Sequence, residues 1–400
     1  MKQRILVALD IGTNSLKMAI AKIKEDGGLE ILGVVEEPSS GVRKSVVVRP
    51  EETAKRIASL VRKAEQMTSV HIKEVIVSLG GSRLFAVSSH GLVAVSRADG
   101  DISKEDVDRV LQAAQTFSLS QNQEILEAYP TQYVVDGEEG IREPIGMKAV
   151  RLETDVIAVC LFSPDLKNLT AAVLEASLEI AGVVPSPLAA AYGMLSAQEK
   201  EMGVAVVELG AGTTSLAVFE EEDLKHIAIL PVGAENITHD IAIGLRIEHD
   251  LAERIKTEFG TCLGSKGKRM EKIELANGET FTFSSKFVGH IIEERVKEIF
   301  QLLNKELKKL GKQGQLPGGV VICGGGAKLP KIAEFAKKEL KLPVKIGSAK
   351  GLITLQEDPA FLGVLGLLVG HLQDEESTSV TQKSSRTAGF LKKLLKSFIP

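Results

Sequence analysis

Apolar runs alternate with short glycine-rich or charged turns over the first part of the chain. The runs ILVAL, KMAIAKI and LEILGVV are separated by the turn segments GTNS and EDGG. Runs of this kind, bounded by turn residues, predict three consecutive strands. The spacing that follows predicts a helix from Glu51 to Ala64 and a short buried strand, VIVSL, from Val75 to Leu79.

The pattern changes between residues 83 and 155. This segment contains two strand-like runs (LFAVSS and GLVAVS), a helix that starts at the Ser103–Asp106 capping pattern and runs to about Phe117, and the extended stretch EILEAYPTQYVVDG. We predict that it forms an inserted subdomain.

The strand, glycine turn and strand of the N-terminus recur about 200 residues later, in VAVVELGAGTTSLAVF from Val204. A strand (VIAVCLF) and two helices, from Leu166 to Ala181 and from Pro187 to Leu195, are expected before it. Internal repetition is the signature of duplicated units. The sequence therefore predicts two related domains that face one cleft.

Residues 233–316 are expected to be mostly helical. Apolar spacing predicts helices from Ile237 to Gly244, from Leu251 to Phe259 and from Phe287 to Leu310. The apolar positions of the last helix are expected to line a core. Residues 372–389 lack periodic apolar positions and are interpreted as a flexible linker.

The last eleven residues have the pattern of a basic amphipathic helix. At about 100° per residue, one half of the circumference is apolar and the other carries lysines: Phe390, Leu391, Leu394, Leu395, Phe398 and Ile399 against Lys392, Lys393 and Lys396. So short a helix needs a surface to fold against. An anchor on an anionic membrane surface is the preferred interpretation, and docking on the chain's own body is the alternative.

Composition narrows the class of protein. With 400 residues, two or more domains are expected, and a net charge of −4 argues against nucleic-acid binding. Three separated cysteines fit reduced thiols, and seven histidines without HxxxH or HExxH spacing predict no structural zinc. The start MKQRILVALD is too short in apolar residues for a secretory signal, and no apolar run is long enough to span a membrane.

Five segments carry the candidate chemistry. They occur in the order LDIGTNSLK, SPLAAAY, VVELGAGTTSLAVF, VICGGGAKLP and DPAFLGVLGLL. Glycine-rich turns after short strands present N–H groups to phosphate oxygens, so two such turns in facing domains can hold one triphosphate from both sides.

Each turn offers a distinct set of groups. Asp10 is positioned to hold Mg²⁺ through water molecules, and Glu208 is its acidic counterpart in the second turn. Lys17 either adds a positive charge or points to solvent. The candidate phosphate contacts are Gly12, Thr13, Asn14 and Ser15 in the first turn, and Gly210, Ala211, Gly212, Thr213 and Thr214 in the second. Gly324, Gly325 and Gly326, with Ala327, offer a flat surface for a purine or a structural β-to-α turn.

At these residues the chain resembles the superfamily of actin, sugar kinases and Hsp chaperones. Within it, the chain is most similar to the FtsA family of bacterial cell-division proteins. The similarity rests on EILEAYPTQYVVDG and EEGIREPIGMKAVRLE in the insert, on PVGAENITHDIAIGLRIEHDLAERIK, and on the linker that ends in a basic amphipathic helix.

The resemblance implies an α/β fold, namely the actin-like (ribonuclease H-like, duplicated) two-domain ATPase fold with an FtsA-type 1C subdomain and a C-terminal amphipathic helix. The implied divisions are 1–82 and 156–202 (subdomain 1A), 83–155 (1C), 203–232 and 317–371 (2A), 233–316 (2B), 372–389 (linker) and 390–400 (membrane-targeting helix).

The resemblance also implies a function. Members bind ATP with magnesium, polymerise, and bind the C-terminal tail of the tubulin-like protein FtsZ through 2B. They thereby tether FtsZ filaments to the inner face of the cytoplasmic membrane at the division septum, and later division proteins are recruited through 1C. Glu253 and Lys256 match the nucleotide-contacting helix of the superfamily, and Gly325 and Gly326 match its adenosine motif.

Two departures concern hydrolysis. The second phosphate motif has Glu208 and Ala211 where the family commonly has Asp and Gly, and Ser186 stands where a Glu or Gln orients the attacking water. With Asp10, Glu208 and Ser186 as the candidate catalytic residues, we expect weak or no ATPase activity.

Two alternative functions remain open from the sequence. The first motif also resembles that of PilM, a type IV pilus assembly adaptor, although such an adaptor has no evident need for the terminal basic helix. An exopolyphosphatase-like or sugar-kinase-like enzyme is the second alternative. It would need a carboxylate to activate its water or acceptor, which Ser186 does not supply.

Overall fold

The structure of the chain is a computed structural model that describes residues 4–263, 269–275, 278–350, 352–353 and 357–380. The predicted amphipathic helix at residues 390–400 and the linker residues 381–389 lie outside these ranges. None of the helices in the described ranges is both long and apolar enough to cross a membrane.

The first domain begins with the predicted run of strands. Its elements are β1 (Ile5–Ile11), β2 (Ser15–Ile23), β3 (Leu29–Pro38), β4 (Val42–Arg43), β5 (Val46–Val47), α1 (Pro50–Thr68) and β6 (Glu74–Leu79). The three predicted strands, the helix and the VIVSL strand are confirmed. The short β4–β5 hairpin was not predicted, because strands of two residues are too short to show an alternating pattern.

The insert contains β7 (Phe85–Ala94), α2 (Lys104–Ala114), β8 (Gln123–Val135), β9 (Glu138–Ile141) and β10 (Arg151–Phe162), with its four strands in the order β7-β10-β8-β9. The prediction of two strands before the helix is wrong, because β7 runs unbroken through Gly91. A Cβ on Gly91 would lie 2.4 Å from the Val110 carbonyl oxygen, so this glycine allows α2 to pack closely and does not mark a turn.

The edges of the insert differ from the expected boundary. β10 pairs with β7 and β8 from Arg151 to Phe162 and therefore passes through residue 155 without a break. The predicted helix start is confirmed: Ser103 caps α2, and Asp106 completes the capping box.

After the insert, the first domain is completed by α3 (Ser163–Glu175), β11 (Glu179–Pro185), α4 (Ser186–Tyr192) and α5 (Ala197–Met202). The predicted helix from Leu166 to Ala181 is too long at its C-terminal end. Ser177 takes a positive φ of 63° and turns the chain, and β11 then pairs in parallel with β6. The segment that forms β11 has no clear hydrophobic periodicity of its own. Its strand conformation therefore depends on pairing with the buried strand β6.

The second domain repeats the first with a different insert. Its elements are β12 (Val204–Leu209), β13 (Thr214–Glu220), β14 (Asp223–Leu230), α6 (Ala234–Leu245), α7 (His249–Phe259), β15 (Met270–Glu274), β16 (Thr280–Ser284), α8 (Ser285–Lys309), β17 (Val320–Cys323), α9 (Ile332–Leu340) and β18 (Val344–Ile346). The chain then returns to the first domain with β19 (Leu352–Ile353) and α10 (Leu362–Val380). The three helices predicted between residues 233 and 316 are confirmed, whereas the β15–β16 hairpin was not predicted.

The two large sheets have the same topology. In the first sheet the order β3-β2-β1-β6-β11 has three antiparallel strands followed by two parallel ones, and β19 adds to the β3 edge. In the second sheet β14-β13-β12-β17-β18 has the same sequence of directions. The predicted duplication is therefore confirmed at the level of strand order.

Helix α10 packs on the first sheet and against α4. Leu365 and Leu368 are buried beside Leu6 and Ala8 of β1. The backbones of α10 and α4 approach so closely that a Cβ on Gly366 would lie 1.8 Å from the Ala189 carbonyl oxygen. The helix continues to Val380, so residues 372–380 are helical where a linker was expected.

Candidate functional site

The two glycine turns have the same local geometry. The Gly12 N–H donates to the Ser15 carbonyl at 3.2 Å, and the Gly210 N–H donates to the Thr213 carbonyl at 3.0 Å. A Cβ would lie 2.8 Å from the Ser15 oxygen at Gly12, and 3.0 Å from the Thr213 oxygen at Gly210. Each turn therefore closes tightly between two antiparallel strands and leaves the N–H groups at its tip free of a β-ladder.

Both turns open into one cavity of about 590 Å³ between the domains, a size typical of a small-molecule site. Most of the predicted residues line it: Asp10, Gly12, Thr13, Asn14, Ser15, Lys17, Ser186, Glu208, Gly210, Ala211, Thr213, Glu253, Lys256, Gly324, Gly325 and Gly326. Gly212 is not in this lining set. Thr214 is buried in β13, where its hydroxyl donates to the Val232 carbonyl at 2.8 Å.

Two carboxyl groups face the cavity from opposite domains. Asp10 accepts a hydrogen bond of 2.5 Å from the Ser78 hydroxyl, and Glu208 projects from the end of β12. Burial, and then the nearby Asp10 carboxylate, raise the pKa of Glu208 to about 8, although the Lys17 ammonium opposes the shift. A divalent cation would relieve this repulsion. Carboxylate oxygens are ligands that Mg²⁺ prefers, so the donor set fits that ion.

Lys17 faces the cavity rather than solvent. Its ammonium group donates to the Ala360 carbonyl at 2.9 Å and lies 5.5 Å from the centroid of the Phe361 ring. These contacts connect the first glycine turn with the DPAF segment, the fifth of the ordered motifs. The charge of Lys17 is thereby available to an anion in the cavity.

The tips of the two turns meet across the cleft. A Cβ on Gly212 would lie 2.7 Å from the Thr13 hydroxyl oxygen. The β4–β5 hairpin bridges the same contact, because the Ser45 N–H donates to the Thr13 hydroxyl at 2.9 Å and the Ser45 hydroxyl lies 3.0 Å from that of Thr213. Gly212 thus permits the close approach of the turns.

The third glycine run closes one end of the cavity. Gly324 follows β17 with a φ of 83°, and a Cβ there would lie 2.6 Å from the Leu209 carbonyl oxygen. Gly325 begins a 3₁₀ turn, Gly325–Lys328, and α9 starts only at Ile332. No atom of the described chain lies within 4 Å of a Cβ built on Gly325, so this backbone presents an open surface to the cavity.

Glu253 and Lys256 form one hydrogen-bonded group on α7. The Lys256 ammonium donates to Glu253 at 2.6 Å and to the Thr238 hydroxyl at 2.7 Å, while that hydroxyl also donates to Glu253. Burial raises the pKa of Glu253, but the hydrogen bonds from Lys256 and Thr238 outweigh it and hold the pKa below its ordinary value. The Glu253 side chain is therefore held in its ionised form, and the hydrogen bonds fix both side chains beside the cavity.

Ser186 is the first residue of α4 and lines the cavity from the first domain. Its hydroxyl can hydrogen-bond a water or a phosphate oxygen, but it cannot take up a proton as a carboxylate does. Ser186 therefore contributes a polar group to this wall but cannot itself act as a general base.

Sequence reasoning did not find several lining residues. They are Ser45, Ser78, Glu36, Lys328, Asp358, Glu235, His249 and Asp250. Ser78 left a signal, since it is the polar residue of the buried run VIVSL, and β6 pairs in parallel with β1 next to Asp10. Lys328 and Asp358 belong to two of the five ordered segments, although neither was predicted as a contact. The others come from segments whose approach to the cavity depends on the tertiary fold.

Duplicated domains around one shared cavity define an actin-like protein. Residues 205–366 match the family described as Cell division protein FtsA, and residues 81–160 match the SHS2 domain inserted in FTSA. The chain is 33% identical to the cell division protein FtsA of Pseudomonas aeruginosa over 95% of this chain and 93% of that protein. It is 35% identical to the FtsA of Bacillus subtilis over 91% of this chain and 82% of that one.

The chain therefore belongs to the FtsA family, and it is a cell division protein of the actin-like class. The match to the SHS2 domain coincides with the insert of β7 to β10. The predicted family and the predicted actin-like α/β fold with its insert are confirmed, whereas the predicted C-terminal amphipathic helix lies outside the described residues.

Two solved structures show the same fold at low sequence identity. A chain of the PilM-PilN type IV pilus biogenesis complex has a TM-score of 0.66 at 17% identity. The superposition covers 92% of this chain and 98% of that chain. MreB5 of Spiroplasma citri bound to ADP has a TM-score of 0.57 at 14% identity, with 95% of this chain and 99% of that chain covered. The likeness to PilM is one of fold, whereas the sequence comparisons place the chain in the FtsA family.

Proposed function

We propose that this protein is an ATP-binding scaffold of cell division that attaches FtsZ filaments to the inner face of the cytoplasmic membrane. The observation that carries the nucleotide part is the pair of matching glycine turns, Gly12–Ser15 and Gly210–Thr213, which face one cavity of about 590 Å³. Family membership supports the remaining parts.

In the proposed complex the triphosphate lies between the two turns. Backbone N–H groups and the hydroxyls of Thr13 and Thr213 contact its oxygens, and Lys17 adds a positive charge. The purine lies on the Gly324–Gly326 surface, and Glu253 and Lys256 contact the ribose or the base from α7. MreB5 of Spiroplasma citri, which shares this fold and is bound to ADP, supports the proposal that a nucleotide binds.

Magnesium is the second proposed cofactor. Asp10 would hold it through water molecules, and Glu208 would face it from the other domain. The ion would offset the charge of the phosphates and the repulsion between the two carboxyl groups. A bound Mg²⁺ also favours the ionised form of Glu208.

We expect nucleotide to act as a conformational and assembly switch with little turnover. Ser186 cannot serve as a general base, and the Cβ of Ala211 stands in the second turn where the family commonly has glycine. A steady-state assay of phosphate release tests this expectation. Sustained turnover at many per second would overturn the scaffold hypothesis in favour of an enzyme.

Nucleotide binding is tested by titration calorimetry of the full chain with ATP, with and without Mg²⁺. Asp10→Asn keeps the shape of the side chain and should remove most of the gain that Mg²⁺ brings to ATP affinity. Asp26→Asn, in the Lys24–Gly28 turn, is the matched control. ATP binding that is equally strong in Asp10→Asn and wild type would contradict the magnesium assignment.

The membrane part of the proposal rests on the basic amphipathic pattern of residues 390–400, which lie outside the described residues. Co-sedimentation with anionic liposomes should pellet the full chain and leave in solution a truncation that ends at Gln382. A full chain that stays in solution would instead favour docking of this segment on the body or on a protein.

The partner part is tested by adding FtsZ filaments to the same liposomes. FtsZ should pellet only with the full chain, and FtsZ without its C-terminal tail should not pellet. We further propose that the protein self-associates into filaments in the presence of ATP and that subdomain 1C recruits later division proteins. Sedimentation of the protein with and without ATP tests the first of these.

A further inference from the structure

Three side chains with metal-binding atoms converge at the wall of the cavity. Glu235, His239 and His249 each offer one ligand atom, and these three atoms lie within 4.8 Å of one another. Glu235 is partly buried, and the two histidines are exposed. Glu235 and His249 also line the cavity.

The fold brings this group together from two helices. Glu235 and His239 are four residues apart on α6 and therefore lie on the same face. Arg246 ends α6 in the left-handed conformation with a φ of 55°, and α7 begins at His249. Lys256 holds the two helices together through its hydrogen bonds to Thr238 and to the Ala234 carbonyl.

Of the three side chains, only His249 has a carboxylate partner among the described residues, because its Nδ1 lies 3.7 Å from the Asp250 carboxylate. Within the part of the chain that the structure describes, no hydrogen bond or ion pair satisfies the Glu235 carboxylate or the His239 ring. The rings of His239 and His249 have centroids 5.1 Å apart and are tilted by 55°, so they do not stack face to face. Two tilted imidazoles can direct one nitrogen each towards a common point.

We propose that Glu235, His239 and His249 form a binding site for a borderline transition-metal ion, with Zn²⁺ as the expected metal in the cell. Two imidazoles and one carboxylate are ligands that Zn²⁺ takes at about 2.0–2.2 Å, with a fourth position left to water. Ligands of such an ion lie roughly 3.3 Å apart, so small rotations of three flexible side chains suffice. Mg²⁺ is excluded because imidazole is a poor ligand for hard ions.

Electrostatics at the site act in both directions. The positive ends of α6 and α7 disfavour a cation, since Glu235 and His249 lie in the first turn of their helices. The carboxylates of Glu235 and Asp250 offset this effect, and His249 also faces the negative charge of Glu253. The sequence predicted no structural zinc because its histidines lack HxxxH or HExxH spacing. That rule considers ligands on a single helix, whereas the ligands proposed here come from α6 and α7.

A metal at this point would fix the wall of the cavity. The N–H groups of Ala234 and Glu235 donate to the carbonyls of Gly210 and Ala211 at 2.8 and 2.9 Å, so the first turn of α6 is joined to the second glycine turn. The ion would connect this turn through His249 to α7, the helix that carries Glu253 and Lys256. It would thereby restrict the relative motion of two parts of the cavity.

The test uses the untagged full chain and measures Zn²⁺ affinity by competition with a colorimetric chelator. Wild type should bind one equivalent, and His239→Ala and Glu235→Gln should each weaken binding at least about tenfold, the effect of losing even an indirect ligand contact. His71→Ala is the matched control, because His71 is an exposed histidine with a single carboxylate partner, Glu65, at 2.7 Å. Its affinity should equal that of wild type.

Co²⁺ supplies an independent measurement. Bound at this site, it should give the intense visible absorption of a low-symmetry, four- or five-coordinate ion, and the bands should disappear in Glu235→Gln and His239→Ala but not in His71→Ala. The proposal is overturned if wild type binds no stoichiometric Zn²⁺. It is also overturned if the Glu235→Gln protein, which retains the shape of the side chain, binds Zn²⁺ and Co²⁺ as wild type does.

Discussion

Gly212 and Thr13 lie against each other across the cleft, so closely that an added Cβ on Gly212 would stand 2.7 Å from the Thr13 hydroxyl oxygen. Each residue belongs to the glycine turn of its own domain. The distance between the two turns, and with it the width of the cavity between them, therefore depends on the absence of a side chain at Gly212.

Replacing Gly212 by alanine should push the turns apart. The methyl group would also lie 3.2 Å from the Cα of Lys44, so relief requires a shift of the β4–β5 hairpin. We expect ATP affinity, measured by calorimetry, to fall at least about tenfold, since about 1.4 kcal/mol is a tenfold change. Gly182→Ala, whose Cβ would make only an ordinary contact at 3.5 Å, is the control. Unchanged affinity in Gly212→Ala would show that the phosphates do not bind between the turns.

Glu208 should make stability depend on pH in the absence of divalent cations. Its pKa is about 8 in the folded protein against an ordinary value of 4.5, so the folded state holds a proton that the unfolded state releases. Stability should therefore decrease as the pH rises from about 4.5 to about 8, relative to Glu208→Gln, by more than about 1.4 kcal/mol, the value of one pKa unit. Urea unfolding at pH 5, 7 and 9 measures the difference.

The exposed strand residue Glu30 offers the control for this experiment. Glu30→Gln should follow wild type at every pH. If the difference between wild type and Glu208→Gln stays constant from pH 5 to pH 9, neither burial nor the Asp10 carboxylate raises the pKa of Glu208 in the folded protein.

Glu199 should show the opposite dependence on pH. It receives hydrogen bonds from the Lys345 and Lys350 ammonium groups and from Ser196. Burial raises its pKa, but these donors outweigh burial and hold the pKa well below 4.5. The ionised Glu199 therefore stabilises the folded state fully above about pH 4.5. This contribution is lost as the pH falls towards the pKa of Glu199 in the folded protein.

We expect Glu199→Gln to lower the free energy of unfolding by about 1–2 kcal/mol at pH 7 and by less at pH 3. The loss at pH 7 is modest because the two lysines are about half exposed and water screens the ion pairs. Urea unfolding at both pH values measures it. Glu334→Gln removes a pair with Lys331 in which both side chains are more than half exposed, and it should change stability by less than about 0.5 kcal/mol. Equal losses in the two variants would contradict the role of burial.

Gly366→Ala should destabilise the fold strongly. The new methyl group would overlap the Ala189 carbonyl oxygen, a backbone atom that cannot move away, so α10 must separate from α4. We expect a loss of about 3 kcal/mol or more in thermal or urea unfolding. Gly325→Ala, which meets no atom of the described chain within 4 Å, should leave stability nearly unchanged.

The same Gly325→Ala protein tests the proposed purine surface. Its methyl group would project into the cavity where the base is expected to lie. ATP affinity should fall about tenfold or more while the unfolding transition stays in place. An affinity equal to that of wild type would argue for a purine position elsewhere in the cavity.

Local sequence patterns by themselves determined the repeated strand order of the two domains and the presence of the insert. The turns at Gly12 and Gly210, the buried runs around them and the capping box at Ser103 predicted the repeated strand order and the insert, because each depends on residues close in sequence. The same patterns identified Asp10, Glu208 and the three glycine runs as the lining of one cavity.

Tertiary structure decided what depends on distant neighbours. The segment after Ser177 became β11 because β6 offered a strand to pair with, and β7 continued through Gly91 because α2 packs on it. The raised pKa of Glu208 arises from burial in the folded protein and from Asp10 in the other domain. The contact of Thr13 with Ser45 and Gly212 joins three separate loops. The group of Glu235, His239 and His249 likewise exists only once α6 and α7 are folded together, because a metal site is defined by distances in space rather than by spacing along the chain.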